Sequence, residues 1–138
     1  MNTTEIAVQQ IKTDEGLRLK PYHCTAGALT IGYGRNLDAV GITEAEADAM
    51  LRVDIEIAER GAEALVGNVW GQLSPARQAV LINMTFNLGR TRLAAFKNFL
   101  AALRAADYNT AASEMLDSRW ANQVGDRATR LADAMRRG

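Results

Sequence analysis

A single short stretch, Leu17 to Leu37, breaks the helical hydrophobic period that runs through the rest of this 138-residue chain. Within it Leu17, Leu19 and Tyr22 fall near alternate positions, Pro21 interrupts, and Thr25-Ala26-Gly27 reads as a turn before Leu29 to Tyr33. Alternation punctuated by glycine and proline marks short strands. The expectation is a short antiparallel hairpin or a three-stranded meander within an otherwise helical protein. A sheet this small cannot supply a layer to every helix, so the fold class is α+β with helices dominant.

The helices announce themselves through their ends. Ile6, Ala7, Gln10 and Ile11 outline a first amphipathic helix ending near Glu15, with Gly16 as its stop. Thr43-Glu44-Ala45-Glu46 is a capping box, in which hydroxyl and carboxylate satisfy each other's orphan backbone donors. The helix it opens is expected to reach about Val66, with Met50, Val53, Ile57 and Leu65 along one face, and to join a small β lobe to a larger helical one. Ser74-Pro75 starts the next helix, because serine caps and proline suits the first helical position. Its body, Ala79 to Met84, is apolar almost all round and belongs at the centre of the larger lobe, with Gly89 ending it. Leu93, Phe96, Phe99, Leu100 and Leu103 suggest one further amphipathic helix. Tyr108 to Leu116 suggests another, and Asp126 caps a last one carrying Leu131 and Met135. The chain is long enough for one cooperative domain and too short for two ordinary ones.

Sixteen basic and sixteen acidic residues cancel, so net charge makes no case for nucleic acid as a partner. The charge is uneven: Glu44 to Glu63 is acid-rich, and the C-terminus is basic. A basic end can approach an anionic polymer or a membrane surface, but for Arg130, Arg136 and Arg137 a solvated helix face is the favoured reading. One cysteine cannot form an internal disulfide, and one histidine with one cysteine does not make a structural zinc site. No metal or other cofactor is expected. No apolar run reaches the ~20 residues of a membrane span, and Met1 to Gln10 lacks the apolar core of a secretory signal. The expectation is synthesis in the cytoplasm without membrane anchoring.

The chemistry concentrates at the spacing Glu15-x8-Cys24-x5-Thr30, which runs from a helix end through the β segment. A glutamate so placed is a candidate general acid, and a nearby hydroxyl can hold a water. Glycosidases pair such an acid with a second group, ordinarily a carboxylate, that handles water or the sugar. Cys24 has two readings: a small buried hydrophobe, or that second group. His23 precedes it directly, but strand neighbours point to opposite faces, which disfavours a His23–Cys24 pair.

Glu15-Gly16-Leu17-Arg18-Leu19-Lys20-x-Tyr22 followed by Thr30-Ile31-Gly32-Tyr33-Gly34 resembles the active-site region of the phage-type lysozymes, the endolysins with which bacteriophages degrade host peptidoglycan. Members carry a Glu-x8-(Asp or Cys)-x5-Thr triad, and this chain matches the cysteine form. The likeness continues at Phe86-Asn87-Leu88-Gly89 and Ser118-Arg119-Trp120-Ala121-Asn122-Gln123, then Arg127, and so covers nearly the whole chain in order. It implies a lysozyme-like fold in one domain over residues 1–138, with a small β lobe over about 14–42. The helical lobe would span about 66–138 and include the N-terminal helix.

The resemblance also implies roles. Glu15 would protonate the glycosidic oxygen, while Cys24 and Thr30 position and activate the attacking water. Phe86 and Asn87 would line the cleft, with Arg119, Trp120, Asn122 and Gln123 near it. Phe86 and Trp120 also read as core packing. Arg127 matches a position whose guanidinium approaches the catalytic glutamate. Arg35 stands where relatives often carry histidine, and a structural ion pair suits it. Ala26 departs from an acidic substrate-contacting position of some relatives. The implied partner is the peptidoglycan glycan strand, cut between N-acetylmuramic acid and N-acetylglucosamine by a monomer that acts in the periplasm. A holin pore would give it access. The competing classes are a non-catalytic peptidoglycan-binding relative, for which Glu15 and Thr30 serve no purpose, and a papain-like thiol hydrolase. The latter needs a cysteine at a helix start and a distant histidine, and the chain has neither.

Overall fold

The computed structural model describes residues 1–138. They fall into two compact units, Met1–Ala49 and Met50–Gly138.

In the first unit, α1 (Thr3–Glu15) opens on a capping box: the Glu5 N–H donates to Asn2 at 2.9 Å and the Asn2 N–H to the Glu5 carboxylate at 3.2 Å. Gly16 follows it as expected. Strands β1 (Arg18–His23), β2 (Leu29–Gly32) and β3 (Arg35–Asn36) form an antiparallel sheet in the order β1-β2-β3, the meander read from the sequence. The β1–β2 register shifts between Arg18 and Tyr22. Pro21, which has no N–H to give a ladder, sits in that irregular stretch. A short helix, α2 (Leu37–Val40), was not expected; Asn36 caps it, accepting from the Ala39 N–H at 3.0 Å. Asp38 on α2 accepts from the Leu29 N–H at 2.8 Å and ties the helix to β2.

The boundary between the units falls inside α3 (Glu44–Val66). Its start is the expected capping box, with Thr43 Oγ1 accepting from the Glu46 N–H at 3.1 Å and the Glu46 carboxylate from the Thr43 N–H at 2.9 Å. Its inward face differs from the expected one. Ala58, Ala62 and Val66 are buried and Leu65 is half-buried against the core, whereas Met50, Val53 and Ile57 are exposed. The buried set repeats every four residues, which places it on one face of the helix.

The second unit holds every buried hydrophobic residue, from Ala58 to Met135. After a 3-10 segment (Gly67–Gln72) comes α4 (Pro75–Leu88), capped by Ser74 and buried along Val80, Leu81, Met84 and Thr85. It is less enclosed than its sequence suggested, since Ala79 and Phe86 are exposed. The single helix expected from Leu93 to Leu103 is two, α5 (Arg90–Ala94) and α6 (Lys97–Arg104). The break at Phe96 sets its ring edge-on to Phe99, with centroids 6.4 Å apart, a favoured aromatic arrangement. α7 (Tyr108–Leu116), capped by Asp107, is as expected; α8 (Arg119–Val124) is additional. The N-cap of α9 (Asp126–Arg137) is Gly125, with Asp126 in the first turn, where a carboxylate favours the helix dipole without capping it. Arg77 fastens the far end of α9 by donating to the Met135 and Arg136 carbonyls at 2.7 and 2.9 Å. Its guanidinium also lies 3.6 Å from the Tyr108 ring centroid.

Candidate functional site

The first unit brings Cys24 and Thr30 together through the register of its hairpin. Tyr22 pairs with Thr30 and His23 with Leu29. The ladder continues one step further, as the Cys24 N–H donates to the Ala28 carbonyl at 3.0 Å. Because side chains alternate, Cys24 returns to the face of Tyr22 and Thr30, and His23 points away. The turn itself is three residues, closed by the Gly27 N–H on the Cys24 carbonyl at 2.8 Å. Gly27 has a φ of 84°, the left-handed conformation this type of hairpin requires.

That turn folds its backbone donors onto the sulfur. Hydrogen bonds from the Ala28 and Ala26 backbones hold the Cys24 thiol below its ordinary pKa; burial opposes them, and the Thr30 hydroxyl and the Gly27 backbone add to them. Such a concavity of N–H groups favours an anion. Thr30 is buried, at 3% exposed, and its hydroxyl donates to the Ala28 carbonyl at 2.9 Å. A hydroxyl has one proton, so Thr30 serves either that carbonyl or the sulfur, and its lone pairs stay available to a water.

Glu15 ends α1 and lies against the loop between β2 and β3. Its carboxylate occupies the space that a side chain at Gly34 would fill. One turn back, the Lys12 ammonium sits 5.2 Å from the Tyr33 ring centroid. Two contacts thus hold the end of α1 to one loop.

Arg35 stands apart from the triad in an ion pair with Glu46, at 2.6 Å (Nη1–Oε1) and 2.5 Å (Nη2–Oε2), and donates to the Gly41 carbonyl at 3.3 Å. The Arg35 guanidinium first, then the Thr43 N–H, pulls the Glu46 carboxyl down to about 2. A carboxyl depressed in the folded state stabilises fully above its ordinary value, near 4.5, and less as pH falls through about 2. Glu46→Gln should therefore lower the Tm at neutral pH. The difference from the parent should shrink as thermal melts are repeated at descending pH below 4.5. A constant difference would mean that the ion pair does not stabilise the fold.

In the second unit, Arg127 reaches Asn83 with two donors, Nε at 2.9 Å and Nη2 at 2.7 Å to the same amide oxygen. The two residues line a cavity of about 390 Å³ with Leu51, Ile55, Ile82 and Phe86. Asn83 was not singled out from the sequence; the signal was there, as the one amide in the apolar run Ala79–Met84. Phe86 is 49% exposed and also lines a second cavity, of about 530 Å³, with Asp54, Arg60 and Arg90. Trp120 is 3% exposed and packs in the core, so its indole acts through its N–H, which donates to Asn87 Oδ1 at 2.7 Å. Asn87 is thereby fixed at the surface. Arg119 and Gln123 join Trp120, Phe96 and Ser118 around a cavity of about 320 Å³, whereas Asn122 lines none of the three.

The chain is similar in sequence to several known proteins. The chain is 32% identical to an endolysin of Acyrthosiphon pisum secondary endosymbiont phage 1, over 99% of this chain and 92% of that protein. It is 27% identical to a probable T4-type lysozyme of Dictyostelium discoideum, over 93% of this chain and 92% of the other. It is also 31% identical to the pre-baseplate central spike protein Gp5 of Enterobacteria phage T4, over 89% of this chain but only 26% of the length of that protein. The family model for phage lysozyme matches residues 12–137, and the chain belongs to the phage lysozyme family.

Proposed function

We propose that this lysozyme hydrolyses peptidoglycan by single displacement, with Glu15 as acid and Cys24, assisted by Thr30, as base for the attacking water. The protein is a glycoside hydrolase, a muramidase in an endolysin role, and its substrate is the bacterial cell wall. The bond cleaved is the β-1,4 link from N-acetylmuramic acid to N-acetylglucosamine. Glu15 gives its proton to the departing oxygen of N-acetylglucosamine. Water held at Thr30 loses a proton to the Cys24 sulfur and adds to the anomeric carbon from the opposite side. Solvent then returns the proton from sulfur to Glu15. One water is consumed, and each group regains its starting state.

The observation that carries this reading is the seat of Cys24, where backbone N–H groups and the Thr30 hydroxyl favour the thiolate. Without such help a thiol of pKa ~8.5 is only a few per cent ionised at neutral pH. Phe86 and the fixed amide of Asn87 contact the sugar chain in this account, with Arg119, Asn122 and Gln123 beside them and Trp120 as the anchor of Asn87. Arg127, oriented by Asn83, is a supporting residue in this account. The enzyme works as a monomer, made in the host cytoplasm and acting on the wall in the periplasm after a holin opens the inner membrane.

Mass analysis of fragments released from purified sacculi tests the reading. Muramidase action yields hydrated N-acetylmuramic acid reducing ends. Anhydro ends would indicate a transglycosylase, free stem peptides an amidase, and binding without release a non-catalytic relative.

A further inference from the structure

We infer that Gly34 is a positioning residue for the reaction, and that its missing side chain is the seat of the Glu15 carboxylate. The inference rests on the proposed acid role of Glu15. An ideal Cβ at Gly34 would lie 2.7 Å from Glu15 Oε2, 2.8 Å from Cδ and 3.2 Å from Cγ. Carbon contacts are ordinarily about 3.5–4.0 Å. A side chain at this position therefore displaces the whole carboxylate. The Lys12–Tyr33 contact holds the end of α1 to the same loop, so the glutamate side chain has to yield first. Moving a proton donor by about 1 Å can cost on the order of 10²-fold in rate.

The loop contains its own control. Gly32 and Gly34 have φ values of 70° and 78°, and alanine is strained at both. A Cβ at Gly32, however, meets nothing within 4 Å. Gly32 answers only to the turn, whereas Gly34 answers to the turn and to the carboxylate.

The experiment compares Gly32→Ala and Gly34→Ala in the full chain by thermal melting and by the kinetics of reducing-end release from soluble glycan strands. The expected result is a similar fall in Tm for both, with kcat reduced about 10²-fold and KM unchanged in Gly34→Ala alone. Glu15→Asp withdraws the carboxylate by one methylene. Adding Gly34→Ala to Glu15→Asp should therefore reduce kcat no further. Equal kcat for the two alanine variants, a loss confined to KM, or a fully additive loss in the aspartate background would each overturn the inference. If Gly34→Ala fails to fold, recovery of folding on adding Glu15→Asp supports it, and no recovery overturns it. Glu15→Gln separates the layers: an active Glu15→Gln enzyme defeats the acid assignment itself. An inactive one beside an unimpaired Gly34→Ala defeats only this inference.

Discussion

Glu15→Gln should clear outer-membrane-permeabilised Gram-negative cells on the order of 10²–10⁴-fold more slowly than the parent, the range that positioned acid–base groups contribute. The substitution keeps the length and shape of the side chain, and so its place beside Gly34, but leaves no proton acidic enough for the leaving oxygen. Binding to sacculi should therefore persist while turbidity loss stops. Clearing at the parent rate would remove Glu15 from the chemistry. Loss of binding together with clearing would make it a contact residue instead.

Alkylation of the thiol should abolish activity. Cys24 is the only cysteine, so iodoacetamide modifies one thiol, and mass spectrometry shows whether it has done so. The adduct removes the ionisable sulfur and fills the space between the turn and Thr30. Cys24→Asp, in contrast, should retain activity. An aspartate reaches one bond further than the sulfur and, as an anion, can accept from the backbone N–H groups that favour the thiolate. The alkylation rate gives an independent check, because the thiolate is the reacting form. Its midpoint against pH should lie below that of an ordinary, unassisted thiol. Full activity with the adduct in place would leave Cys24 with a packing role only.

The parts of this molecule that sequence reasoning reached are those fixed by neighbours along the chain. The Thr43–Glu46 capping box, the Ser74-Pro75 start and the stops at Gly16 and Gly89 need only a few consecutive residues. The β1–β2 turn was legible for the same reason, whereas the sharing of one face by Cys24 and Thr30 follows from the register of the pairing. What escaped depends on partners distant in sequence. The buried stripe of α3 runs through Ala58 and Ala62, on either side of Gly61, which faces Thr85 and Arg90, and no local pattern distinguishes those alanines from exposed ones. The break at Phe96, which sets its ring against Phe99, and the Gly125 cap of α9 also escaped the hydrophobic pattern. At the site, Asn83 is explained only by Arg127, 44 residues away, and Trp120 only by Asn87, 33 residues away. Gly34 is one of several glycines with positive φ, and only the Glu15 carboxylate lying against it sets it apart.

The water-activating role of Cys24 is tested most directly by the configuration of the newly formed reducing end. Proton NMR of a fresh digest, recorded before mutarotation, distinguishes the anomers. Water activated by Cys24 and Thr30 as proposed would attack from the side opposite the leaving group and produce the α anomer of N-acetylmuramic acid. The β anomer would mean two displacements, with a group of the enzyme bonded to the sugar in between, and would contradict the account.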